Sequence, residues 1–210
     1  MKKSDIEEIF KRFAENKPSP KIELDYDSPF TLLVAVVLSA QSTDKGVNRA
    51  TPKLFEVADT PEKMAELGEE SLKEYIKTLG LFNNKAKSII AMSKMIIANY
   101  GSEVPSTLEE LQKLPGVGRK SANVMLNSIW GEATIAVDTH VFRVSNRIGF
   151  CKAKNPLQTE MALLKKVPKE WKDRAHHWLV LHGRYVCKAR KPECGRCLIN
   201  DICKFKDKVL

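Results

Sequence analysis

Leu114-Pro115-Gly116-Val117-Gly118-Arg119-Lys120-Ser121-Ala122-Asn123-Val124-Met125-Leu126 is the stretch whose reading decides the fold. Two glycines flank a single valine, and an apolar helical pattern starts at once. Glycine opens backbone angles closed to other residues and lets a partner approach the main chain. A Gly-rich turn at a helix start points N–H groups outward, where the helix dipole favours an anion. The segment therefore reads as a phosphate cradle built on Gly116, Val117 and Gly118. Lys120 falls in the first turn of the helix that follows. The positive helix end and the basic chain around it favour an uncharged amine, the state a nucleophile needs. The plainer alternative is a tight helix–helix turn with Lys120 solvated on the surface, because a bare Gly-x-Gly is a weak motif.

Working outward, TLEELQKL before the turn is helical, and Ser106 with Glu109 is predicted to form its capping box. Helix, short turn and helix make a helix-hairpin-helix at about residues 108–130. The flanking sequence is helical nearly throughout. Ser28-Pro29 pairs an N-cap with a first-turn proline and opens an apolar helix to about Ala40. Thr60-Pro61 repeats the signal. Gly68 and Gly80 enclose a short helix, and Asn83 or Asn84 is expected to cap a longer one ending at Gly101. Further helices are predicted over 119–130, 139–148, 158–166 and 171–185. Only Thr134–Val137 looks extended, too short for a sheet. The fold class expected is all-α.

Lysine and arginine total 35 against 26 acids, a formal charge of +9 in 210 residues. That sign suits a polyanionic partner. From Arg184 to Lys208 there are eight basic residues against three acids, so the excess is concentrated at the C-terminal end. The uncharged run from Ser28 to Thr43 covers 16 residues, too few to span a bilayer. The start, MKKSDIEEIF, turns acidic where a signal peptide requires an apolar region. A soluble, cytoplasmic protein without a membrane partner is expected.

Four of the five cysteines, Cys187, Cys194, Cys197 and Cys203, lie within 17 residues. The odd count and the cytosolic character disfavour disulfides and point to metal. Structural zinc commonly uses two Cys-x-x-Cys pairs, whereas only Cys194 and Cys197 are so spaced. Gaps of six and five residues on either side suit a chain wrapped round a larger object. From spacing alone, iron–sulfur and zinc stand equal. Cys151, far from the quartet, reads as a small buried apolar residue. Asp138, in IAVDTHV, stands at a helix start: a cap, and also a fixed carboxylate able to support a cationic transition state. His140 reads either as a DNA contact or as a satisfied helix residue.

Taken together, these segments resemble the endonuclease III family of DNA glycosylases. LPGVGRKSANVML resembles its helix-hairpin-helix, VDTHVFRVSNR its catalytic aspartate segment, and HHWLVLHGRYVCKARKPECGRCLINDIC its cluster loop. LSAQSTD and GLFNNKA resemble its two DNA-inserting loops. The likeness runs from about Ile6 to Phe205. It implies two lobes. One is a six-helix barrel lobe over 22–132. The other joins 1–21 to 133–210 and carries a [4Fe–4S] cluster in the loop 187–203, with Lys120 and Asp138 in the cleft. It implies that Cys187, Cys194, Cys197 and Cys203 are cluster ligands. Lys120 becomes the Schiff-base nucleophile, Asp138 its supporting carboxylate, and Gln41 and Leu81 the side chains that fill the gap left by a flipped nucleotide. Gly116, Val117, Gly118, Arg119, His140 and Lys191 become DNA contacts, with a monovalent cation at the turn. The expected partner is damaged double-stranded DNA, met by a nucleoid-associated monomer. The adenine-mismatch branch lacks the lysine and extends further; Lys120 and an end seven residues after Cys203 favour the bifunctional lyase branch acting on oxidised pyrimidines.

Overall fold

The computed structural model describes all 210 residues, and the chain is all-α, as the sequence reading expects. Ten α-helices run α1 Lys3–Asn16, α2 Pro29–Leu38, α3 Asp44–Val57, α4 Pro61–Ile76, α5 Phe82–Tyr100, α6 Leu108–Lys113, α7 Arg119–Trp130, α8 Thr139–Ile148, α9 Pro156–Lys166 and α10 Lys172–Tyr185. None is long and apolar enough to cross a membrane. The chain divides into two compact units, Glu23–Trp130 and Met1–Ile22 with Gly131–Leu210.

The continuous unit is organised round α2. Ser28 accepts from Thr31 N at 3.1 Å, and Pro29 occupies a position whose missing N–H costs nothing. Every residue from Phe30 to Leu38 is buried, so this helix is apolar on all sides rather than on one stripe. Helices α3, α5 and α7 pack around it, and α4 packs on α3 and α5. Gly68 breaks α4 into two segments at φ 76°, in line with the break read from the sequence.

The discontinuous unit joins the chain's two ends. Ile6, Ile9, Phe10 and Phe13 on one face of α1 pack with Phe150, Leu163, Trp178, Leu179 and Ile199. Phe10 stacks on Phe150 at 5.7 Å and meets Trp178 at 6.1 Å. Arg12 grips Asp201 through both nitrogens, at 2.6 and 3.0 Å, and also donates to Leu198 O. Cys151 is buried at 8% exposure, as a small apolar residue should be.

Two caps differ from expectation. The cap of α6 is Thr107, one residue beyond Ser106, and its hydroxyl bonds Glu110 rather than Glu109. Two equally good hydroxyl/glutamate pairs overlap here, one residue apart, and the helix takes the later one. Neither Asn83 nor Asn84 caps α5; both lie inside it, and Leu81 occupies the cap in the left-handed region at φ 58°. Helix α3 was not singled out by the sequence signals, because Pro52 sits within it.

Candidate active site and cysteine centre

Local chemistry builds the α6–α7 hairpin. Val117 N donates to Leu114 O at 3.0 Å, closing the turn, and the Val117 side chain is buried at 6% exposure. Gly116 takes φ 81° and lies so close to α5 and α2 that an added Cβ would stand 3.0 Å from Ser88 Cβ and 3.3 Å from Val37 Cγ1. Gly118, in contrast, faces open space. Its carbonyl accepts from Ala122 N at 2.9 Å, so α7 starts immediately. Arg119 and Lys120 are the first two residues of α7 and both are exposed, while Ala122, Val124, Met125 and Leu126 anchor the helix. An exposed amine in the first turn of a helix behind a glycine turn can meet a substrate held by its phosphates.

Asp138 follows the buried extended run Ile135–Val137 and is the N-cap of α8, accepting from Val141 N at 2.8 Å. Capping fixes the carboxylate while leaving it partly exposed. The next turn holds His140, half-buried, whose Nδ1 lies 3.2 Å from Arg143 Nη2. Helix α10 approaches α8 at Gly183, where an added Cβ would meet His140 Cβ at 2.9 Å. Gln41 and Leu81, far apart in sequence, share one unusual feature. Both are exposed, and both hold left-handed backbones, with φ 53° and 58°. Left-handed, non-glycine residues in loops are strained, and strain of this kind concentrates at ligand-handling sites.

The four cysteines line a common pocket, together with His182, Pro192 and Phe205. Four thiols facing one pocket fit a thiolate-held metal centre. Burial pushes the Cys197 and Cys203 thiols up, a cost that a bound metal group offsets by holding thiolates. His182, buried against Phe13, is driven down to about 4 and places Nε2 3.8 Å from Cys197 Sγ.

The sequence reading missed what holds this loop. Arg143 and Arg147, one turn apart on α8, reach it together. Arg143 donates to Cys187 O at 3.2 Å and Gly183 O at 2.8 Å. Arg147 donates to Lys188 O at 2.6 Å and Ala189 O at 3.0 Å, approaches Cys187 Sγ at 3.8 Å, and lies over the Phe205 ring at 4.7 Å. The only sequence signal was their i,i+4 spacing, which puts two arginines on one face. At the outer rim, Lys188 and Arg196 both pair with Glu193. Lys191, with φ 50°, and Arg190 are exposed and carry no ion pair.

Comparison with known proteins agrees with this geometry. Residues 34–169 match the HhH-GPD superfamily of base excision DNA repair proteins, and residues 187–203 match the iron-sulfur binding domain of endonuclease III. Endonuclease III of Rickettsia felis is 58% identical over 200 residues, covering 95% of this chain and 94% of the relative. Endonuclease III of Escherichia coli K12 is 55% identical over 209 residues, covering 100% and 99%. A trapped endonuclease III–DNA covalent intermediate superposes with a TM-score of 0.92 at 43% identity, covering 97% of this chain and 96% of that one.

Proposed function

The chain belongs to the endonuclease III family of base excision repair enzymes, DNA glycosylases with abasic-site lyase activity, and from that premise we propose that Lys120 is its nucleophile and oxidised pyrimidines its substrates. The observation that carries the proposal is the exposed Lys120 amine in the first turn of α7, directly behind the Gly116–Gly118 turn.

The sugar C1′ of a stacked nucleotide is out of reach, so the duplex bends and the damaged nucleotide leaves the stack, at a cost of a few kcal/mol that a damaged base reduces. Gln41 and Leu81 fill the vacated space. Main-chain N–H groups of Gly116 and Gly118 bind a phosphate, with Val117 between them closing the turn through its own bond to Leu114 O; a monovalent cation sits in the same turn, and Arg119, His140 and Lys191 add contacts to the strand. Neutral Lys120 attacks C1′, forming the N–C1′ bond as the bond to the base breaks and its electrons leave with the base. Ring opening gives a Schiff base, which acidifies the 2′ proton. Loss of that proton expels the 3′ oxygen by β-elimination and cuts the strand. Asp138 stabilises the cationic sugar and assists proton transfers; its cap bond from Val141 N keeps it oriented.

Cys187, Cys194, Cys197 and Cys203 hold a [4Fe–4S] cluster, which fixes the fold of the basic loop. The protein acts as a monomer within the nucleoid.

Borohydride trapping on a thymine glycol duplex tests the proposal, with wild type and Lys120→Ala side by side. A covalent adduct from wild type alone is expected. Absence of an adduct from wild type, on this lesion and on an abasic site, would overturn the Schiff-base mechanism.

A further inference from the structure

Lys85 lies in the second turn of α5, yet it is buried, at 5% exposure. Its Nζ donates to Ser42 Oγ at 2.8 Å, and no carboxylate pairs with it. Burial pushes its pKa down. An ammonium in such a place is costly, and an apolar chain of the same length would fill the space without that penalty. Fold stability therefore gives no account of Lys85.

Its neighbours do. Ser42 directly follows Gln41, and Lys85 N donates to Leu81 O at 3.0 Å. The Lys85 side chain thus holds the Gln41 segment from the helix that left-handed Leu81 caps. The two segments also lie against each other, since an added Cβ on Gly80 would stand 3.4 Å from Gln41 O. Strained backbones persist only where their surroundings over-determine them. A buried ammonium fixes its acceptor strongly, because the alternative is a charge without solvent.

We infer that Lys85 is a positioning residue that ties the Gln41 loop to the Leu81 turn, so that both side chains enter the duplex as one preformed wedge. This rests on the insertion role proposed above. Preforming the wedge removes the cost of ordering two loops at the moment of binding. Its benefit is confined to substrates in which a base must be displaced.

The test compares Lys85→Met, Ser42→Ala and Ser42→Thr on two substrates: thymine glycol paired with 2-aminopurine in a duplex, and an abasic site in a single strand. Single-turnover rates and the fluorescence of 2-aminopurine opposite the lesion are read. Lys85→Met and Ser42→Ala should lose roughly tenfold on the duplex, the scale of one charge-assisted hydrogen bond, and nothing on the single strand. Ser42→Thr, which keeps the hydroxyl, should retain most of the rate. Thermal melting of each variant checks folding, and Lys85→Met should melt at or above wild type. Equal losses on both substrates, or no loss on the duplex, would overturn the inference. Gln41→Ala and Leu81→Ala run in parallel separate the two ideas. If they discriminate the substrates and Lys85→Met does not, only the tie falls; if they too fail to discriminate, the insertion role itself falls.

Discussion

Replacing Gly116 with alanine probes the hairpin at its tightest point, and the cost has two separable parts. The first is conformational: at φ 81° a Cβ-bearing residue costs about 1–2 kcal/mol relative to glycine. The second is steric, because the new Cβ would stand 3.0 Å from Ser88 Cβ and 3.3 Å from Val37 Cγ1. Both neighbours are held by helices, so the strain falls in the range of overpacked cores, about 1–3 kcal/mol. The sum is about 2–5 kcal/mol, a large fraction of a small domain's stability. Ser88→Gly removes the nearer obstacle at a cost of its own of about 0.5 kcal/mol in helix propensity. In that background the penalty of Gly116→Ala should fall toward about 1–2 kcal/mol, the conformational part plus what the remaining contact with Val37 adds. Urea unfolding of wild type, both single variants and the double variant gives the four corners of the cycle. An identical Gly116→Ala penalty with and without the Ser88 side chain would refute the steric argument. A penalty below about 0.5 kcal/mol in either background would refute the conformational one.

Asp138→Asn keeps a cap as good as aspartate, so it should unfold like wild type yet lose lesion processing, whereas Asp138→Ala should lose about 1 kcal/mol as well; equal activity of Asn and Asp would dismiss the carboxylate's chemical role. Arg147→Ala removes the donors to Lys188 O and Ala189 O beside Cys187, so the visible iron–sulfur absorbance should bleach roughly tenfold faster under oxidant, with Arg147→Lys intermediate because it lacks the fork. Unchanged bleaching would show that the loop is held by other means. His177 is shifted below its usual 6.5, chiefly by burial and against a smaller opposing pull from Asp173. Its folded state therefore binds protons less readily than the unfolded chain, and the stabilisation is complete above pH 6.5 and lost as pH falls through the lowered value. His177→Gln should flatten the acid side of the stability curve; an unchanged slope would show that other groups set it.

Helices with local punctuation were legible in the chain, and those decided from a distance were not. Ser28-Pro29 and Thr60-Pro61 announce α2 and α4 because cap and proline act within one turn. Helix α3 hides behind Pro52, which local rules read as a breaker. Left-handed Leu81 is invisible for a related reason: nothing about a leucine suggests that backbone. The cysteine spacing showed that a metal centre was present but left zinc and iron–sulfur level. What separates them is the match of residues 187–203 to the iron-sulfur binding domain of endonuclease III, a pattern of the whole loop and not of any one spacing. Arg143 and Arg147 bond carbonyls some 40 residues downstream, a pairing no local pattern encodes.

The unit that holds the cysteines begins and ends with the chain itself. Its first helix carries Ile6, Ile9, Phe10 and Phe13 toward partners that include Ile199, and Arg12 toward Asp201. During synthesis α1 is made before residues 23–130, and its partners, from Ile135 to Ile199, follow only after them. Residues 23–130 form a complete contact set by then, so they can fold while α1 is still waiting. A chain cut after residue 130 would therefore release a folded hairpin domain with a sticky, unclaimed helix at its front.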